Sequence, residues 1–245
     1  GIGVVGCHAQ RQPHAMDYTL FLFDLDDTLL DFRASERLSF ARTLASLGIE
    51  ADTGPLYATY QQCNRALWDA LEQGRIDQAF LKVERFRQLF LRHAIEADPA
   101  RAAHTYLEWL PQTVVLTDGA RAACEALATQ GTIGIITNGI EQVQRRRIAV
   151  SGLADLIAFV ATSEACGCAK PDVRFFEFAA AMAPDVGRAR TVIIGDRLEA
   201  DILGGNRFGI DSCWFNPQRA ALSGEAVPTF QVAHLSELPG LLGRR

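Results

Sequence analysis

The chain is 245 residues long, 49% hydrophobic and 22% charged, with a formal net charge of −5. That length buries a substantial core, either as one large domain carrying an insertion or as two modest domains. The acidic balance excludes the broad positive surface that nonspecific binding to nucleic-acid polymers needs, and no apolar stretch reaches the roughly 20 residues of a membrane-spanning helix.

Residues 1–15 hold a short apolar piece, then Arg11 and two histidines, which is not the layout of a signal peptide. Met16 reads as the functional start and 1–15 as a disordered upstream extension or expression remnant. Six scattered cysteines fit a cytoplasmic protein with reduced thiols. Cys166 and Cys168 flank one glycine, yet no second pair or nearby His completes a zinc set.

Residues 18–23 are short, aromatic and bounded by charge, which predicts a strand covered on both faces in a parallel sheet. The strand runs into Asp24-Leu25-Asp26-Asp27-Thr28. Asp24 and Asp26 point the same way if strand geometry continues. Carboxylates forced together repel, and each raises the other's pKa unless a cation neutralises them. Hard oxygen donors with few His or Cys ligands favour Mg²⁺. A loop capping the next helix is the rival reading of the same residues.

From Asp31 to Pro111 the periodicity turns helical, with helices predicted over 34–47, 56–72, 78–95 and 99–110 and breaks at Gly48, Gly74 and Asp98-Pro99. Asn64 and Trp68, four apart, share a helix face and are candidates to line a substrate pocket. For Trp68 a place in the helical core is the rival reading, and Arg85 is open between substrate contact and a solvated face.

Beyond Gly119 strands and helices alternate through Trp214, and 229–232 and 235–242 add a last strand and helix. The pattern predicts an α/β fold, a doubly wound parallel sheet with an inserted all-helical cap. Its core takes residues 16–31 and 112–245, and its cap 32–111. The later strand ends also carry chemistry. Thr137-Asn138-Gly139 offers a hydroxyl and a nest of N–H groups to an oxyanion, or serves as an ordinary turn. Pro171 at a first helical position, with periodic Phe175, Phe176, Phe178 and Ala179, starts a helix and leaves Lys170 just outside it, able to turn inward. A β-branched run stops at Gly195, with Asp196 at the exit as another hard ligand and Asp201 in the next helical segment as an acceptor behind it. Ligands of open α/β sheets bind at the carboxyl ends of the strands, where these groups would meet.

These motifs, in this order, resemble the four signature motifs of the haloacid dehalogenase-like hydrolase superfamily over about residues 18 to 240. Asn64, Leu67-Trp68, Gly74, Arg85-Phe86, the stretch 134–139 and the stretch 201–205 resemble its pyrimidine 5′-nucleotidase branch. The resemblance implies a Rossmann-like core in which Asp24 is the nucleophile, forming an aspartyl-phosphate. It makes Asp26 the general acid and then the base. Mg²⁺ would be held by the Asp24 carboxylate, the Asp26 backbone carbonyl and Asp196, with Asp201 behind. Thr137, Asn138, Gly139 and Lys170 would bind and balance the phosphoryl group. The implied activity is hydrolysis of a small phosphorylated metabolite, a nucleoside 5′-monophosphate with pyrimidine preference. A general or sugar-phosphate phosphatase and a phosphomutase are the alternatives. Asp26 argues against a dehalogenase, which has no alkoxide to protonate. A non-enzymatic receiver module would be about half this length and lack the helical insertion. Neither a membrane nor a nucleic-acid polymer is an expected partner, and spacing fixes neither the oligomeric state nor the role of Arg197.

Overall fold

The computed structural model describes residues 17–243, so the segment 1–15 and Met16 lie outside the described residues. The chain enters through β1 (Leu20–Phe23) and then forms four helices in succession: α1 (Phe32–Ser46), α2 (Thr53–Glu72), α3 (Gln78–Arg92) and α4 (Pro99–Trp109). After α5 (Ala120–Ala128), β2 (Thr132–Thr137), α6 (Glu141–Ser151), β3 (Phe159–Thr162), the short α7 (Ser163–Cys166) and α8 (Val173–Ala180) alternate. β4 (Thr191–Gly195), α9 (Leu203–Phe208), β5 (Asp211–Phe215), β6 (Phe230–Val232) and α10 (Leu238–Leu242) complete the chain. Among the described residues no helix is long and apolar enough to cross a membrane.

The six strands form one sheet in the order β3-β2-β1-β4-β5-β6, and each pairing is parallel. The order reverses between β3, at one edge, and β4, which returns to the centre beside β1. The carboxyl ends of β1 and β4 therefore flank the switch point, where an open sheet leaves a crevice. Side chains alternate across the sheet: Phe21, Phe23, Ile133, Ile135, Val192 and Ile194 pack one face against α5 and the carboxyl-terminal elements. Leu20, Leu22, Ile136 and Ile193 pack the other against Phe175, Phe176 and Phe208. This two-sided burial explains why the strands read as continuous apolar runs.

Each of the four inserted helices begins at an Asp whose carboxylate accepts a backbone N–H of the first turn: Asp31, Asp52, Asp77 and Asp98. Their apolar stripes enclose a separate aromatic core of Phe40, Tyr60, Phe86, Phe90 and Tyr106. One predicted boundary moves. Pro171 precedes the helix rather than opening it, because the Asp172 carboxylate accepts the Arg174 N–H at 2.9 Å and caps α8 at Val173.

Candidate active site

Asp24 follows β1 directly, and its N–H still donates to the Ile194 carbonyl at 2.9 Å, so its position is locked to β4. Beyond it the chain reverses: the Leu25 carbonyl accepts the N–H groups of Leu29 and Leu30 at 3.0 and 2.9 Å, and Asp27 takes a left-handed φ of 58°. Strand geometry thus ends before Asp26, and the two carboxylates part, contrary to the extrapolation from their spacing. Asp26 turns toward α6, where its Oδ2 accepts Gln144 Nε2 at 2.6 Å and its Oδ1 is ion-paired with Arg147 Nη1. Neither Gln144 nor Arg147 was singled out by sequence; both are buried on α6 while Arg145 and Arg146 are exposed.

Lys170 does turn inward. Its ammonium donates to Asp24 Oδ1 at 2.6 Å, Asp201 Oδ1 at 2.7 Å and the Ile136 carbonyl at 2.8 Å, which uses all three of its protons. Burial alone would lower its pKa, but the charges of Asp201 and Asp24 outweigh burial and hold it above the ordinary lysine value. Asn138 sets the Lys170 backbone: Oδ1 accepts its N–H at 2.8 Å and Nδ2 donates to its carbonyl at 3.1 Å.

Asp24, Asp196 and Asp201 each present an oxygen within 4.8 Å of the others. Asp201 replaces the Asp26 carboxylate in this cluster, yet both its oxygens are engaged, Oδ1 by Lys170 and Oδ2 by the Arg197 N–H at 3.0 Å. That close approach depends on Gly195, where a Cβ would overlap the Asp201 carboxylate. Thr28, which closes the first motif but has no role assigned from sequence, donates its hydroxyl at 3.3 Å toward both Asp24 Oδ2 and Asp196 Oδ1. Burial, reinforced by Asp24 and Asp201, pushes Asp196 up to about 9. Asp24 rises to about 7, because burial outweighs Lys170. With all three carboxyls ionised, the cluster around one ammonium would carry an excess of two negative charges, which the raised pKa values of Asp24 and Asp196 resist, and the donors are all hard oxygens. That set fits a divalent cation of the Mg²⁺ kind.

The Thr137 hydroxyl oxygen accepts the Gly139 N–H at 3.0 Å and Gln144 Nε2 at 2.9 Å, which leaves its proton for an incoming oxyanion. Gly139 N–H is thereby spent inside the turn rather than aimed at an anion. A side chain at Gly139 would overlap Gln144.

These groups form the floor of a cavity of about 210 Å³ whose opposite wall includes Trp68, Leu107 and Leu110 of the inserted helices. Arg85 borders it too. Asn64 does not: its amide lies behind the wall, donating to Glu36 Oε2 at 3.2 Å and accepting Arg85 Nη1 at 3.3 Å. Sharing a helix face with Trp68 brought Asn64 to the same side, but one turn deeper among the packed helices. Arg197 reaches up from the sheet to Glu72 at the end of α2, with its Nη1 2.6 Å from Oε1, and ties the two layers together beside the cavity. Asp27 and Asp196 also border a wider groove of about 960 Å³ that passes Tyr57 and Trp214.

A family model for haloacid dehalogenase-like hydrolases matches residues 18–209. The chain is 36% identical over 224 residues to the pyrimidine 5′-nucleotidase PynA of Streptococcus pneumoniae (strain ATCC BAA-255 / R6), covering 91% of this chain and 94% of that one. It is 30% identical over 227 residues to the pyrimidine 5′-nucleotidase YjjG of Escherichia coli (strain K12), covering 93% and 99%. The crystal structure of the HAD-hydrolase YfnB of Bacillus subtilis, bound to magnesium, matches with a TM-score of 0.85 at 34% identity, over 92% of this chain and 98% of that one.

Proposed function

The chain belongs to the haloacid dehalogenase-like hydrolase family and is a phosphoric monoester hydrolase, and from that premise we propose that it is a cytoplasmic, Mg²⁺-dependent nucleoside 5′-monophosphatase with a preference for pyrimidines. The observation that carries the reading is the Asp24 carboxylate at the switch point, held by Lys170 and faced by Asp196. Its pyrimidine part is supported by the two nucleotidase relatives that the chain matches nearly end to end.

Asp24 attacks phosphorus, the bond to the ester oxygen breaks, and the departing alkoxide takes a proton delivered through Asp26 as general acid. Water then attacks the phosphorus of the aspartyl-phosphate, gives its proton to Asp26, and releases Asp24 and inorganic phosphate. Lys170 and the Thr137 hydroxyl balance the charge that gathers on the transferring group, where fixed dipoles and charges act with little reorganisation. Asp24 and Asp196, with the Asp26 backbone carbonyl, would hold Mg²⁺, which supplies further charge neutralisation at the phosphoryl oxygens. The wall bearing Trp68 shields the intermediate from bulk water.

The test is phosphate release with Mg²⁺ across pyrimidine and purine nucleoside monophosphates, sugar phosphates and an aryl phosphate, with Asp24→Asn as the blank. The expected result is a preference for uridine, deoxyuridine or thymidine monophosphate that the variant abolishes. Activity confined to sugar or aryl phosphates would remove the nucleotide assignment, isomerised sugar phosphate without free phosphate would indicate a mutase, and a fully active variant would remove the mechanism.

A further inference from the structure

Arg85 is a cation buried among the inserted helices, 3% exposed, on the wall of the cavity that faces Asp24. Its Nη1 donates to Asn64 Oδ1 at 3.3 Å and its Nε to the Lys82 carbonyl at 3.4 Å. Its Nη2 is buried without any hydrogen-bond partner. The guanidinium carbon lies 4.6 Å from the centroid of the Tyr106 ring, so an aromatic face backs it. Glu36, 6% exposed, accepts from Tyr57 Oη at 3.0 Å and Asn64 Nδ2 at 3.2 Å, so a carboxylate–amide–guanidinium relay fixes where Arg85 points. None of these groups touches the phosphoryl chemistry. An elaborately supported guanidinium whose Nη2 amino group is left without an acceptor, beside a cavity otherwise walled by Trp68, Leu107 and Leu110, lacks a partner that a bound molecule can supply.

We propose that Arg85 is the specificity-determining residue that reads the base, its Nη2 donating to the 4-carbonyl of a uracil or thymine ring that lies along Trp68. The inference rests on the nucleotidase reading and deepens it. With the phosphate at Asp24, the ribose comes next and the base is farthest from the sheet, so its edge remote from the ribosyl bond meets the wall. In uracil and thymine that edge carries a carbonyl acceptor. Cytosine and adenine place an amino donor there, which would oppose N–H to N–H and leave Arg85 unsatisfied. Specificity of this kind arises from the unpaired group left by the wrong substrate.

The experiment compares kcat/KM for uridine monophosphate, cytidine monophosphate, the 2-pyrimidinone ribonucleotide that lacks the 4-carbonyl, and an aryl phosphate, in the wild type and in Arg85→Met. Wild type is expected to favour uridine monophosphate over the 2-pyrimidinone analogue by about 10- to 100-fold, mainly through KM, as for a hydrogen bond to a charged group. In Arg85→Met that ratio collapses toward unity while the aryl phosphate is turned over as before. Retention of the ratio in the variant would overturn the role of Arg85 and leave the nucleotidase reading standing. Equal turnover of the two nucleotides by wild type would overturn it without recourse to a variant, which covers the case in which Arg85→Met does not fold. Failure of wild type to prefer any nucleotide over sugar or aryl phosphates would remove the nucleotidase reading itself, and this inference with it.

Discussion

Arg147 and Asp26, 121 residues apart in sequence, form an ion pair between α6 and the loop after β1. Arg147 is 1% exposed, lies over the Phe32 ring at 5.1 Å and donates to Gln144 Oε1 at 2.8 Å through the same nitrogen that meets Asp26. Gln144 in turn bridges Asp26 and Thr137. One turn of α6 therefore orients both the proposed proton carrier and the proposed oxyanion donor.

Arg147→Met keeps the apolar stem over Phe32 but leaves Asp26 held by Gln144 alone. Misplacing a general acid forfeits part of its contribution, so kcat/KM for a nucleotide should fall by about 10-fold or more. A nitrophenyl phosphate, whose leaving group needs no proton, should lose much less, because kcat/KM reports the steps up to the first irreversible one. Parallel losses on the two substrates would show that Arg147 does not act through Asp26.

Lys170→Met leaves Asp24 and Asp201 buried without their shared cation. Removing one member of such a cluster costs about 3–5 kcal/mol, so the variant should be both inactive and substantially less stable to denaturant. Lys170→Arg should not rescue turnover, because the planar guanidinium cannot reproduce three converging bonds from one nitrogen to Asp24, Asp201 and the Ile136 carbonyl. A change in unfolding free energy below about 1 kcal/mol for Lys170→Met would contradict this account.

Much of the site was legible because its chemistry is local to chain turns. Asp24 and Asp196 each stand one residue past a strand, and Thr137 is the last residue of β2. The helices between β1 and β2 announced themselves through apolar spacing and breaks, although their Asp caps lie slightly upstream of the predicted starts. What spacing could not supply is long-range pairing. The order β3-β2-β1-β4-β5-β6 decides that Asp24 and Asp196 are neighbours, and no single segment encodes it. Arg147 sits in the run Arg145-Arg146-Arg147, which looks solvated until packing buries one of the three. The signal that could have marked it is its position three residues after Gln144 and four after Val143, on the inward face of α6. Likewise the i, i+4 relation of Asn64 to Trp68 fixed a helix face, but only the packing of α2 against α3 sends the Asn64 amide to Arg85.

The raised carboxyls of Asp24 and Asp196 contribute a pH dependence to the metal-free protein. Burial lifts Asp24 to about 7 and Asp196 to about 9, whereas an unfolded Asp titrates near ~3.9. Between those limits the folded state binds more protons than the unfolded one. Stability is therefore greatest near the acid end of that window and falls as pH rises through the folded-state values. A divalent cation replaces the missing protons, so Mg²⁺ should raise Tm little at about pH 5 and increasingly toward about pH 9. Thermal unfolding in chelator and in Mg²⁺ across that range checks the sign. A Tm that climbs with pH in chelator, or a Mg²⁺ shift independent of pH, would count against the cluster as the metal site.

Trp68 offers a test of the wall that is independent of Arg85. It is half-buried, borders the cavity and extends from the same helix as Asn64. Stacking of an aromatic side chain on a base tolerates any base, because each has a π face. Trp68→Ala should therefore lower kcat/KM for uridine and cytidine monophosphates alike, by about 10-fold, while the aryl phosphate, which carries no nucleobase, is spared. The loss should appear mainly in KM, since the contact forms in the ground state and persists through the reaction. Equal loss on nucleotide and aryl phosphate, accompanied by a lowered Tm, would instead make Trp68 a packing residue of the inserted helices, and the base would have to lie elsewhere in the cavity.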